Sequence, residues 1–254
     1  MRAVHVLVVG AVLGACAAED EGPFRPGGGG GNGGGSNHGG DARLVDAPAG
    51  DGGGDLSGLI CVVTDLRVPD ACPTVASQAG VTVSIRGTST TTTSGSDGRY
   101  TLAVSASQVT LDAAAGSATH EPSLVPVTVS GSLVPTPVVT QAAYAAVIGS
   151  LGTVVPDGGG TIVAYIEDGT SPATGVAFAT IAGSSLAPFY DNGSATSWQQ
   201  GGGTGAAGVA LFVDVPAGSV AIDGVAGDLR VARATVPVAV DTITFVRVGL
   251  AAPP

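Results

Sequence analysis

The chain has 254 residues, a formal net charge of −11 and 44% hydrophobic residues. So acidic a chain repels the phosphate backbone, which excludes DNA and RNA as partners. All nine strong bases are arginine and none is lysine, so crosslinks that consume a lysine amine, such as lysine–asparagine isopeptide bonds, are excluded as well.

Met1-Arg2 is a short basic start, residues 3–13 are a nearly unbroken apolar run, and Leu13-Gly14-Ala15-Cys16 closes it. A basic cap, a short apolar core and small residues before a cut are what an export signal needs. The run falls short of the roughly twenty residues that span a bilayer, and no second long run follows, so no transmembrane span is expected. The stretch resembles a bacterial lipoprotein signal with residues 13–16 as its lipobox. That resemblance implies removal of residues 1–15 and acylation of Cys16, which then holds the protein to membrane lipid. Ala17 stands where an aspartate would mark inner-membrane retention, so the resemblance implies the bacterial outer membrane. A plain secretory signal with a chance cysteine is the alternative.

Residues 16–56 read as a disordered linker behind that N-terminus. Positions 27–40 are largely glycine, and positions 50–55 repeat the theme. Too few apolar groups are present to offset the entropy of ordering such a chain. As a coil, forty residues span roughly 35 Å.

From residue 57 onward Val, Thr, Ile, Ala and Ser dominate. Short strands are predicted at 59–64, 81–86, 100–104, 107–111 and 125–130, with Pro126 placing the last at an edge. Ser96-Asp97-Gly98-Arg99 is a tight-turn signal, because Gly98 accepts positive φ and Asp97 can bond its own backbone. Cys61 and Cys72 are the cysteines left after Cys16. In an exported protein they are expected to form one disulfide that closes a small loop, the alternative being two separate buried thiols. Residues 141–148 have high helix propensity, with Thr140 as N-cap and Gly149 as C-cap. A helix this short needs docking, and Tyr144, Val147 and Ile148 are expected to supply it. Strands resume at 161–167, 176–181, 207–213, 219–222, part of 231–240, and 241–248, with Pro237 breaking the long stretch. An irregular insert at 182–206 carries Phe189, Tyr190, Trp198 and three consecutive glycines.

The expected fold class is all-β: two small Greek-key β-sandwich domains, 57–139 and 151–250, joined by a short helix within 140–150. The strand order, the Gly80-Val81 start of one strand and Asp97-Gly98-Arg99-Tyr100 opening the next resemble carboxypeptidase regulatory-like (transthyretin-like) domains. In the second half Gly175-Val176 and Val215-Pro216-Ala217-Gly218 carry the likeness, which covers residues 57–250. The first half departs by an insert at 65–78, the second by lacking the Asp-Gly-Arg-Tyr turn. The resemblance implies a module that does no chemistry itself.

The inventory of reactive groups agrees. His38 lies in the glycine tether, and His120-Glu121-Pro122 lacks the second histidine of a zinc helix. No Gly-x-Ser-x-Gly elbow occurs. Asp191 and Asn192 lack the further oxygen ligands a calcium site needs. Glu167 and Asp168 are adjacent and should diverge. No metal or cofactor is expected, and the chain is read as non-enzymatic. The leading functional reading is an outer-membrane-anchored lipoprotein with a structural, adhesive or ligand-binding role, facing an envelope protein or polysaccharide. The alternative is a carbohydrate-binding lipoprotein whose Phe189, Tyr190 and Trp198 stack on sugars. An envelope hydrolase is the third reading, and it needs His120, Glu121 and Asp-rich turns to converge in one cleft.

Overall fold

Alternation of buried and more exposed residues marks two strands of the first half, 81–85 and 99–104. The computed structural model describes residues 54–68, 72, 79–115, 119–192, 197–231 and 234–252. The strands are β1 (Gly54–Val63), β2 (Val81–Ile85), β3 (Thr91–Thr93), β4 (Arg99–Val104), β5 (Gln108–Ala115), β6 (His120–Glu121), β7 (Ser123–Thr128) and β8 (Val134–Thr140). In β2 and β4 every second residue is buried, which is the pattern of a sheet with one face on a core. One sheet runs β4-β1-β8-β6 and a second set runs β3-β2-β5-β7. Their apolar faces meet in a core that includes Leu56, Ile60, Val83, Leu102, Leu111 and Val138. Burying each such side chain stabilises by about 1.5–3 kcal/mol.

Strand β8 had no counterpart among the expected strands, because Pro135 and Pro137 mask its pattern. It pairs with β1 in parallel, and β6 takes its other edge only at Val139 and Thr140. Both prolines therefore sit beside an edge that asks for no donor. The Asp97-Gly98 turn forms as its chemistry requires. Gly98 has φ +76°, and Asp97 Oδ1 accepts from the Arg99 N–H at 3.1 Å.

Helix α1 (Gln141–Ser150) starts where expected. Thr140 Oγ1 accepts from the Ala143 N–H at 3.2 Å. It ends later than expected. Gly149 is inside the helix, Leu151 is the C-cap, and Gly152 takes φ +66° just beyond it. Tyr144, Val147 and Ile148 dock on the core beneath, and the Tyr144 hydroxyl meets Thr161 Oγ1 at 2.5 Å.

The second half contains β9 (Gly160–Asp168), β10 (Ser171–Pro172), β11 (Ala177–Phe178), β12 (Phe189–Tyr190), β13 (Gln199–Gln200), β14 (Val209–Val215), β15 (Gly218–Ile222), β16 (Gly224–Ala226), β17 (Leu229–Val231), β18 (Ala234–Val238) and β19 (Ile243–Ala251). The strand expected at 176–181 shrinks to the two residues of β11. Pro237 does not break β18 but lies within it. This is tolerated because β18 pairs only with β15, in a two-stranded sheet.

The halves are joined along their backbones. The largest sheet runs β13-β12-β14-β9-β19-β7-β5-β2-β3, so β19 of the second half pairs with β7 of the first. A middle core straddles the join. It holds Val63, Leu66 and Val139 from the first half with Val163, Tyr165, Leu211 and Phe245 from the second. A third core, with Ile162, Phe212, Val236 and Val246, lies in the second half alone. Residues 51–254 accordingly form one compact unit.

Candidate functional site

Strand β12 places Phe189 and Tyr190 between β13 and β14, with Phe189 opposite Leu211 and Tyr190 opposite Ala210. Successive strand residues point to opposite faces. Phe189 accordingly enters the middle core with Trp198, while Tyr190 enters the second-half core. All three are buried, Trp198 being 6% exposed. The Tyr190 hydroxyl accepts from the Phe178 N–H at 2.8 Å. The exposed platform expected of a sugar-stacking site is therefore absent, because both faces of the sheet claim these rings as core. Their burial accounts for a cluster that the sequence left open between ligand and core.

The insert is held shut by a carboxylate. Asp191 Oδ1 accepts from the N–H groups of Gly205 (2.6 Å) and Val209 (3.0 Å), and Oδ2 from that of Ala207 (2.6 Å). Both oxygens accept from backbone donors, so Asp191 organises the loop. Nothing in the local sequence signals this, since the partners lie 14 to 18 residues downstream.

Cys61 and Cys72 are bonded, with Cα atoms 4.5 Å apart. Cys61 is fully buried in β1, so the bridge ties the insert that follows β1 back to the sheet. The insert is also held from the other half, where the Tyr165 hydroxyl donates to the Leu66 carbonyl. Cys16, the signal, the tether up to residue 53 and His38 lie outside the described residues.

Four carboxylates do converge, around a cleft of about 270 Å³ lined by Glu121, Tyr144, Asp157, Gly159, Asp214 and Asp241 among others. Asp214 and Asp241 have φ of 56° and 52°, the positive-φ non-glycine residues of the described chain. Asp214 sits where the β14–β9 register shifts, and its carboxylate accepts from the Ser185 N–H and hydroxyl. Gly159 lies against this bulge, where a Cβ would come within 2.7 Å of the Asp214 Cα. Burial, and then the charge of Asp241, hold the Glu121 carboxyl above its ordinary pKa. Burial lowers the pKa of His120, favouring neutral imidazole. His120 is not among the residues lining the cleft. The Thr161 hydroxyl at the cleft is engaged by Tyr144. Glu167, at the end of β9, pairs with Arg247. Among the described residues no group of three or more His, Cys, Asp or Glu could hold a metal ion, and no helix is long and apolar enough to cross a membrane.

No family model and no curated protein matches the chain. Solved structures do align with it. The Bacillus anthracis TIE protein is 13% identical at a TM-score of 0.26, over 78% of this chain and 34% of its own. This chain thus spans about a third of that protein's length. A mutant of shaft pilin SpaA from Lactobacillus rhamnosus GG is 10% identical at a TM-score of 0.26, over 79% of this chain and 98% of its own. A streptococcal ancillary pilin is 11% identical at 0.23, over 80% and 63%. The class defined at this point is a multi-sheet, predominantly β protein.

Proposed function

We propose that the protein is a non-catalytic lipoprotein of the bacterial outer membrane, which displays a rigid β-sandwich body on a glycine-rich tether for a structural or adhesive role. The observation that carries this reading is the Leu13-Gly14-Ala15-Cys16 box after a short apolar run. Acyl chains on Cys16 would supply the anchor, since the apolar run itself is removed with the signal. Two sandwich modules of the transthyretin-like kind, 57–139 and 151–250, would be fused through the middle core. The Cys61–Cys72 disulfide suits a body exposed outside the cytoplasm, where such bonds persist.

Intact-mass measurement of protein extracted from membranes tests the anchor. The expected product begins at Cys16 and carries added acyl mass. The Cys16→Ala variant should lose that mass and leave the membrane fraction. A processed N-terminus without lipid would overturn the reading.

A further inference from the structure

The ladder that joins the two halves is short, and a groove opens where it ends. Ile243 pairs with Ser123 and Thr244 with Leu124, and no pairing of β19 with β7 continues beyond them. On its other edge β7 stays paired with β5 as far as Thr128. The Val129 N–H donates to the Ser107 carbonyl at 2.8 Å, so the odd-numbered residues of β7 turn their main-chain groups toward β5. Even-numbered residues turn theirs the other way, as the Pro122 carbonyl does in accepting from the Ile243 N–H at 2.9 Å. Alternation therefore aims the Pro126 carbonyl and both main-chain groups of Thr128 into the groove. Pro126 sits where its missing donor is least costly, on an edge without a strand beside it.

The groove has a volume of about 340 Å³, within the usual range for ligand sites. Val125, Val127, Leu133, Val134 and Phe245 contribute its apolar walls, and Arg247, held by Glu167, is the charged residue of its lining. Leu133 stands at 42% exposure, a large apolar side chain left toward solvent. The cleft at the other end of the same ladder differs in kind, being ringed by four carboxylates.

We propose that this groove binds an extended segment of a partner protein, which adds as a strand beside β7 in the place that β19 vacates after Thr244. Two features select that occupant. The groove continues an existing ladder, so a strand entering it completes main-chain hydrogen bonding already begun. Its walls set aliphatic side chains beside the hydroxyls of Thr128, Ser130 and Ser132, which suits a strand that alternates aliphatic and hydroxyl side chains. The proposal stands on the groove alone and does not depend on the anchor at Cys16.

The test uses the full mature protein and a panel of capped heptapeptides that alternate threonine with valine, isoleucine, leucine or phenylalanine. Amide hydrogen exchange is read at Thr128. At least one peptide should bind and slow exchange there. Thr128→Pro removes a groove-facing donor without touching the β5 ladder and should weaken binding about ten-fold or more. Leu133→Arg, a change at an exposed rim, should weaken it similarly, with far-UV circular dichroism unchanged in both variants. Binding by no peptide of the panel overturns the proposal. So does binding that neither variant weakens, protection of Thr128 by soluble cell-wall oligosaccharides instead, or protection that appears on self-association without peptide.

Discussion

The two halves of this protein close their cores by different means. In the first half the closing group is one tyrosine on a regular strand. Its core is aliphatic apart from Tyr100, whose ring lies over Gly58 on the neighbouring strand, so close that a Cβ there would fall 2.1 Å from the ring. The Tyr100 hydroxyl meets Thr136 Oγ1 at 2.5 Å, and burial pushes its pKa up to about 12. In the second half the closing groups are large and come from a long insert. Phe189, Tyr190 and Trp198 fill two cores at once, and the Asp191 carboxylate ties the insert to the start of β14. A sandwich can thus be completed by a strand residue lying over a glycine, or by an insert that its own carboxylate ties to backbone 14 to 18 residues downstream.

The sharpest way to break the second arrangement is Asp191→Ala. Three backbone donors would lose a charged acceptor in a buried site, so a loss of about 3–5 kcal/mol is expected in chemical denaturation. Native-state hydrogen exchange should find residues 205–211 opened first, with 81–85 still protected. If the two segments loosen together, the insert is not the element that Asp191 holds.

In the first half the corresponding break is the disulfide. Replacing Cys61 and Cys72 together by alanine should cost about 2–3 kcal/mol through the unfolded chain's entropy, with the strands of the first sheet still forming. Thiol titration of the unfolded, unreduced protein should find neither cysteine free. Gly58→Ala probes the same half at a single contact. The Tyr100 ring must move and its bond to Thr136 stretch, for a loss of about 1–3 kcal/mol. Combining it with Tyr100→Phe should give less than the sum of the two losses, since both act on one contact.

The smallest effect belongs to the acidic cleft. Glu121 has a pKa raised above its ordinary value of 4.5, so the folded state binds its proton more tightly than the unfolded chain does. The ionised carboxyl therefore subtracts from stability at neutral pH, and that penalty is relieved as pH falls through the folded pKa toward 4.5. Glu121→Gln should raise Tm slightly at neutral pH, and the difference should close by about pH 4. A difference that persists unchanged at that pH would assign it to packing.

What the sequence discloses follows the span of each interaction. Alternation in 81–85 and 100–104, the Asp97-Gly98 turn, the Thr140 cap and the Cys61–Cys72 bridge all lie in short windows, and each is legible. The aromatic insert is legible as a feature, but its role is not. Which face receives Phe189 and which receives Tyr190 depends on pairing with Leu211 and Ala210. Strand β8 is masked by Pro135 and Pro137, whose tolerance depends on which edge lies free. The middle core is invisible in any window, because Leu66 and Tyr165 meet across 99 positions. The convergence of Glu121, Asp157, Asp214 and Asp241 is hidden for the same reason.

Fusion of the halves through that middle core is most directly tested by equilibrium unfolding of the mature protein, followed at once by Trp198 fluorescence and far-UV circular dichroism. Trp198 is the sole tryptophan and sits in the middle core, whereas circular dichroism reports strands from both halves. A shared core predicts a blue-shifted native emission and coincident transitions with one midpoint. Two separated transitions, with fluorescence following only one of them, would contradict it.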